Sequence, residues 1–313
     1  MRAQRAIPGG FLLVIVVIFV GTPGSDAAAA GQRSDRLCGD ADPEVSITLC
    51  SAVIQSGRTR GQELAAAHTH RGVAYVALLD YDRALEDFAR AIAIDPRSPR
   101  ALANRGAVHG ARQDFDKAIA DFTQVLALEP DSAAAFADRA SMYRLNGQHD
   151  EAIRDYGEAI RRNPAFADAL LNRAVTLAGT SRCADAIPDF TRVIELRPDD
   201  PIAYVDRGVC HESAGRDDLA EADFSAHLRI DGRSAYGLER RASLFYRTGR
   251  FDRAFEDFAQ AVVVNPGSAA GLYGRGLITR MRGDTRAGDA DIAAATALRA
   301  GIAAQMARIG VKP

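Results

Sequence analysis

The sequence repeats every 34 residues, without insertion or deletion between residue 65 and about residue 300. An Arg-Gly or Arg-Ala pair recurs with that period, beginning at Arg71-Gly72. An Asp followed by a large apolar residue recurs in the same register, beginning at Asp87-Phe88. A fixed period of this length indicates stacked copies of one small structural unit, and seven copies fit in the chain.

Within each unit the apolar residues follow a helical period. Ala84, Phe88 and Ala91 stand at i, i+4 and i+7, which places them on one stripe of an α-helix. Pro96 ends that helix, because proline cannot donate the next backbone hydrogen bond. Each unit is therefore predicted to be a hairpin of two short helices. A single hairpin cannot bury both apolar faces, so neighbouring units must stack.

Seven in-register copies of these small, aromatic and proline positions resemble the tetratricopeptide repeat family over residues 65 to about 300. The resemblance implies an all-α fold: a right-handed α-solenoid of about seven helix-turn-helix repeats, with the first helices lining a concave face. It also implies binding of proteins or peptides rather than catalysis. One departure is consistent, because Arg stands in all seven units where the family often has Leu.

The repeated Arg precedes the repeated Asp by sixteen residues in every unit. In a hairpin of two antiparallel helices of about 14 residues, this spacing brings the two side chains level. The matched charges predict structural ion pairs, within a unit or between neighbours, rather than a ligand-binding ladder. The residues are Arg71, Asp87, Arg105, Asp121, Arg139, Asp155, Arg173, Asp189, Arg207, Asp223, Arg241, Asp257, Arg275 and Asp291.

The first helices are expected to leave one face free for a ligand. Repeat register assigns these candidate peptide-binding residues to the concave face: Thr69, Val73, Asn104, Asp138, Ser141, Arg144, Asn172, Val175, Asp206, Glu212, Arg240, Tyr246 and Tyr273.

Four of these candidates, Asn104, Asp138, Asn172 and Asp206, occupy the same position in consecutive units. Stacked helices lie about 8–10 Å apart, so these side chains offer one polar contact per repeat to an extended peptide backbone. A similar Asn ladder does this in related repeat proteins. The alternative is a solvated polar face, since exposed Asn and Asp are common. The Lys/Asn clamp that some family members use for a terminal carboxylate is missing.

The first thirty residues are typical of a cleaved secretory signal peptide. Arg2 and Arg5 precede an apolar run over residues 11–20, and four Ala follow at 27–30. The run is shorter than the roughly 20 residues that a membrane span needs. The alternative is an uncleaved N-terminal anchor that leaves the protein facing the periplasm.

An exported chain with four cysteines can pair all of them. The possible disulfides are Cys38–Cys50 and Cys183–Cys210. Connectivity cannot be read from a sequence, and buried free thiols are the alternative.

The two ends of the repeat array are expected to be capped. Residues 31–64 form an N-terminal cap segment, in which residues 44–57 are predicted to be a lone second helix. Residues 301–313 form a C-terminal capping helix and tail, because Leu298, Ile302, Met306 and Ile309 stand at helical spacing.

Composition and motifs argue against several functions. The 39 basic and 41 acidic residues leave no positive field that would attract nucleic acid. The sequence has no phosphate-binding glycine loop, nucleophile elbow or His-Glu-x-x-His motif. Its six His lack ligand spacing, so neither a metal nor a cofactor is predicted.

The sequence thus predicts a non-enzymatic interaction scaffold of the bacterial cell envelope, most simply the periplasm. Its partner is expected to be a protein or an extended peptide, not nucleic acid, and not a membrane once the signal is removed. The alternatives are an accessory subunit of an envelope enzyme, such as a cell-wall hydrolase or synthase, and a self-associating structural repeat protein. The partner and the oligomeric state stay open.

Overall fold

A computed structural model describes residues 38–39 and 42–313, which contain sixteen helices and no strand. The all-α helical-repeat fold predicted from the sequence is confirmed. The signal peptide predicted for residues 1–30 lies outside the described residues. None of the described helices is long and apolar enough to cross a membrane.

Helix α1 (Pro43–Gln55) precedes seven helical hairpins, and α16 (Ile302–Arg308) follows them. The first helices of the hairpins are α2 (Gly61–Ala77), α4 (Pro99–Ala111), α6 (Ala133–Leu145), α8 (Ala167–Gly179), α10 (Pro201–Ser213), α12 (Ala235–Arg247) and α14 (Ala269–Met281). The second helices are α3 (Tyr81–Ile94), α5 (Phe115–Leu128), α7 (His149–Arg162), α9 (Cys183–Leu196), α11 (Asp217–Ile230), α13 (Phe251–Val264) and α15 (Thr285–Leu298).

The helices keep the 34-residue period of the sequence. Second helices begin every 34 residues from Tyr81 to Thr285, and first helices do so from Pro99 to Ala269. Helix α2 departs from this register, because it begins at Gly61 rather than at Ala65. The repeat therefore sets the helix boundaries everywhere except at the first hairpin.

The turn inside each hairpin needs one residue with a left-handed backbone. Gly147 supplies it at φ 77°, and the Gln148 N–H then donates to the Tyr143 carbonyl at 2.8 Å. Leu79 adopts the same conformation at φ 59°, although a side chain makes it less favourable by about 1 kcal/mol. Hydrogen bonding across the turn thus imposes the geometry even where the sequence lacks glycine.

The chain divides into two compact units, unit 1 up to Pro164 and unit 2 from Ala165. In unit 1, a Cβ on Gly72 would lie 2.7 Å from the ring of Phe88, which is fully buried. In unit 2, Gly208 approaches the ring of Phe224 in the same way. The small residue after the repeated Arg therefore lets the first helix pack closely on the aromatic residue of the second helix.

Each unit contains one disulfide. Cys38 and Cys50 are bonded in unit 1, with their Cα atoms 4.8 Å apart. Cys183 and Cys210 are bonded in unit 2, with their Cα atoms 5.0 Å apart. The second bond joins the start of α9 to α10, so it links two consecutive hairpins covalently.

The two ends of the described chain differ from the repeats. Cys50 of α1 is fully buried at the place that alanine takes in later second helices. At the other end, Leu298 and Ile302 do not share one helix, because residues 299–301 separate α15 from α16. Leu298 is 54% exposed, whereas Ile302 and Met306 are buried. The helix expected through all four apolar positions is therefore interrupted.

Candidate functional site

The seven Arg/Asp pairs lie within single hairpins and tie each first helix to its own second helix. In every pair the guanidinium donates two hydrogen bonds to the carboxylate, with N···O distances of 2.6–3.0 Å. Six of the carboxylates are buried, and Asp291 of the last pair is more open, with 20% of its side chain exposed. Two parallel bonds fix the geometry as well as the charge. Both oxygens of each carboxylate accept a hydrogen bond from the paired arginine. These residues therefore stabilise the hairpin.

Some of these arginines also reach the preceding hairpin. Arg139 donates to the Thr123 hydroxyl at 3.1 Å, Arg207 to Thr191 at 3.1 Å, and Arg241 to Ser225 at 3.2 Å. The hydroxyl stands two residues after the paired Asp of the preceding hairpin. Ala89 and Ala259 occupy this position in two other hairpins, and an alanine side chain cannot accept a hydrogen bond from the arginine of the next hairpin. The repeated arginines thus form polar links between hairpins at some junctions only.

We expect Thr123→Ala to lower the free energy of unfolding by about 1 kcal/mol, because Arg139 loses one hydrogen-bond acceptor. Urea denaturation followed by circular dichroism measures the change. Thr296→Ala is the matched control, since Thr296 also bonds a carbonyl of its own helix, that of Ile292, but accepts from no arginine in the described chain. Equal losses in the two variants would argue against the link between hairpins.

The candidate ligand contacts all lie on first helices, and we call the surface that they form in each unit the first-helix face. In unit 1, Thr69 and Asn104 are only 2% and 4% exposed, so little of either side chain is available to a ligand. The Thr69 hydroxyl donates to the Ala65 carbonyl of its own helix at 2.9 Å. Val73 of the same helix is half-buried.

Helix α6 contributes three half-buried polar residues of unit 1, Asp138, Ser141 and Arg144, which interact with Tyr156 of α7. We call these four residues the α6 polar cluster. Ser141 donates to the Ala137 carbonyl at 3.0 Å, so the 2.9 Å bond between Ser141 and Tyr156 has the tyrosine as its donor. Burial raises the pKa of Tyr156, and its proton is therefore retained in that bond.

Asp138 is half-buried and makes no hydrogen bond or ion pair with a described residue. Burial alone raises the pKa of its carboxyl to about 7. The group therefore exchanges between a carboxylic acid, which both donates and accepts, and a carboxylate near neutral pH. Such a carboxyl is free to bond an incoming amide or cation.

In unit 2 the two members of the expected ladder differ in their partners. Asn172 is half-buried and donates to the Asp168 carbonyl of its own helix at 2.9 Å. Asp206 is also half-buried, and burial raises the pKa of its carboxyl to about 6, although Arg240 lowers it. Of the two, only Asp206 presents a side chain without a hydrogen bond.

Ion pairs occupy much of the polar surface between α10 and α12. Arg240 contacts Glu212, and Arg247 lies 3.6 Å from the same carboxylate. Arg247 also pairs with Asp217 at 2.7 Å. These charges neutralise one another, which leaves Asp206 as the open acidic group of this region. Val205 is buried on α10, while Val175 is half-buried on α8.

Tyr246 and Tyr273 take the predicted register positions but are 8% and 4% exposed. The Tyr246 hydroxyl donates to the Lys312 carbonyl at 2.6 Å. The chain after α16 therefore covers this part of the first-helix face in unit 2, and neither ring is open to a ligand in this state.

Sequence reasoning missed Tyr156, whose hydroxyl completes the α6 polar cluster. A signal was available in the sequence, because tyrosine stands at a position where five other hairpins have phenylalanine, as at Phe122 and Phe190. A hydroxyl introduced into an aromatic core position requires a hydrogen-bond partner. Within the described residues, no group of His, Cys, Asp and Glu is arranged to hold a metal ion.

Comparison with known proteins identifies the repeat. The tetratricopeptide repeat model matches residues 65–98, 104–167, 145–182, 171–235 and 240–307. No curated protein matches the sequence.

Solved structures with the same fold are distant in sequence. The C-terminal part of a repeat protein from Cytophaga hutchinsonii is 15% identical, with a TM-score of 0.64, over 77% of this chain and 98% of that one. The type IV pilus biogenesis factor PilW is 22% identical, with a TM-score of 0.57, over 66% and 96%. YrrB, described as having an unusual peptide-binding site, is 20% identical, with a TM-score of 0.55, over 61% and 98%. At these identities the likeness concerns the fold.

Proposed function

Since the chain belongs to the tetratricopeptide repeat family, we propose that it is a non-enzymatic scaffold that binds a protein or an extended peptide on its first-helix face. The Asp138 carboxyl carries this proposal. It lies half-buried on a first helix, without a hydrogen bond, three residues before Ser141. A polar group held in this state gains a partner when a peptide amide or a basic side chain arrives.

The place of action that we propose is the bacterial cell envelope, after removal of residues 1–30. The two disulfides support export, because such bonds persist in oxidising compartments. The repeat array over residues 65–300 would then be the binding part. The cap segment over residues 31–64 and the segment over residues 301–313 would protect its two ends.

Affinity capture from an envelope extract, followed by mass spectrometry, tests the proposal. Asp138→Ala/Arg144→Ala is expected to reduce recovery of the partner at least tenfold, because it removes both charges from the α6 polar cluster. Glu151→Ala/Arg154→Ala is the matched control. It deletes one acid and one base from an exposed ion pair on α7 and leaves the net charge unchanged in the same way.

Recovery from the control should equal that from the wild type. Circular dichroism must show that both variants are folded. Equal recovery from all three proteins would place the binding surface elsewhere and contradict the assignment to α6.

A further inference from the structure

The chain that follows α15 folds back onto first helices of unit 2. Helix α16 packs against α14 and α15, and its Ile302 and Met306 are buried. Beyond α16 the backbone turns at Gly310, with φ 84°, and the Val311 N–H donates to the Met306 carbonyl at 3.0 Å. We call residues 309–313 the return segment.

The return segment lies on the end of α12. The Tyr246 hydroxyl donates to the Lys312 carbonyl at 2.6 Å. A Cβ on Gly310 would lie 2.8 Å from Cδ of Arg247, so the backbone runs directly against that side chain. Val311 between them is fully buried. The segment therefore occupies the part of α12 where repeat register predicts a ligand contact.

The surface beneath it has a defined chemistry. Tyr246, Tyr273 and Val311 belong to one apolar cluster, which also contains Leu277. The tyrosine rings supply apolar contact, and the Tyr246 hydroxyl supplies one donor. This combination fits an aliphatic side chain that is followed by a backbone carbonyl able to accept a hydrogen bond.

We propose that the return segment is an intramolecular ligand, and that the partner binds at the same place with an aliphatic residue followed by a free carbonyl. The inference rests on the proposed function and specifies one contact of it. Beyond α16, Val311 is the buried side chain of the segment, whereas Ile302 and Met306 hold α16 itself. On this proposal the return segment detaches while α16 stays in place.

A labelled peptide with the sequence of residues 305–313 serves as the probe, and fluorescence anisotropy measures its binding to the full chain. Val311→Asp is expected to bind the probe at least tenfold more tightly than the wild type, because a carboxylate at this buried site expels the return segment. Val263→Asp is the matched control. It makes the same change at a residue of unit 2 that is 72% exposed, and should bind the probe as the wild type does.

Adding Tyr246→Phe to Val311→Asp should weaken probe binding about three- to tenfold, the effect of one lost hydrogen bond. Equal binding by wild type and Val311→Asp, or binding by neither, would overturn the proposal and make the segment a permanent cap. Circular dichroism checks folding. Gly310→Val, which strains the turn and clashes with Arg247, replaces Val311→Asp if that variant unfolds.

The two tests fail independently of each other. Partner capture depends on α6 in unit 1 and reads out another protein, whereas the probe reads out α12 and α14 in unit 2. A lost peptide effect with intact partner capture would reject only the intramolecular ligand.

Discussion

Arg139→Ala is expected to lower the free energy of unfolding by about 3 kcal/mol. Asp155 accepts two hydrogen bonds from Arg139, and its side chain is 10% exposed. Without the guanidinium, the carboxylate keeps most of the cost of leaving water and loses the charge that offsets it. Urea denaturation at neutral pH, followed by circular dichroism, measures the loss.

Two comparisons make this result specific. Arg154→Ala removes an arginine whose side chain is 68% exposed in its pair with Glu151, so it should cost no more than about 0.5 kcal/mol. Arg275→Ala should fall between the two, because Asp291 is more open to solvent than Asp155. A loss for Arg139→Ala as small as that for Arg154→Ala would show that the repeated pairs contribute little to stability.

Asp138→Asn is expected to stabilise the protein at pH 8 by about 2–4 kcal/mol. The folded protein holds the pKa of Asp138 at about 7, well above the ordinary value of 3.8, because the carboxyl is buried without a partner. Between those two values the folded chain keeps a proton that the unfolded chain releases. The stability of the wild type therefore falls as pH rises from about 4 to about 7, and an amide at this position abolishes that fall.

Urea denaturation at pH 4 and pH 8 tests the sign. The variant and the wild type should be nearly equal at pH 4 and differ most at pH 8. Asp206→Asn provides a graded comparison, since burial raises the pKa of Asp206 only to about 6. An Asp138→Asn variant with the pH profile of the wild type would mean that the carboxyl is solvated in the folded state. Asparagine is a native residue at the equivalent positions 104 and 172, which makes a steric failure a poor explanation.

The hairpins could be predicted from the sequence because all seven repeats carry the same pattern of small, large and charged residues. Gly72 and Phe88 recur as a small and a large residue, and the structure packs one against the other. Second helices begin with the same 34-residue period as the sequence. Local spacing determines these features, so the structure of one hairpin can be predicted from the pattern of any other.

The candidate site was less predictable, because its properties come from neighbours distant in the sequence. Asn104 and Asn172 share a repeat position, yet Asn104 is buried and Asn172 is half-buried and bonded to its own helix. The spacing of Leu298 and Ile302 is compatible with one helix, and only the packing shows the break between them. No feature of the sequence near Tyr246 predicts that the carbonyl of Lys312, 66 residues later, accepts its hydrogen bond.

The bond between Cys183 and Cys210 bears on resistance to proteolysis. Exposed interhelical loops are where a protease cuts a helical array first. The turn between α9 and α10 falls inside the loop that this disulfide closes, so one cut there leaves both fragments attached. A molecule cut at this turn therefore keeps the two neighbouring hairpins covalently joined, so that they can remain packed against each other.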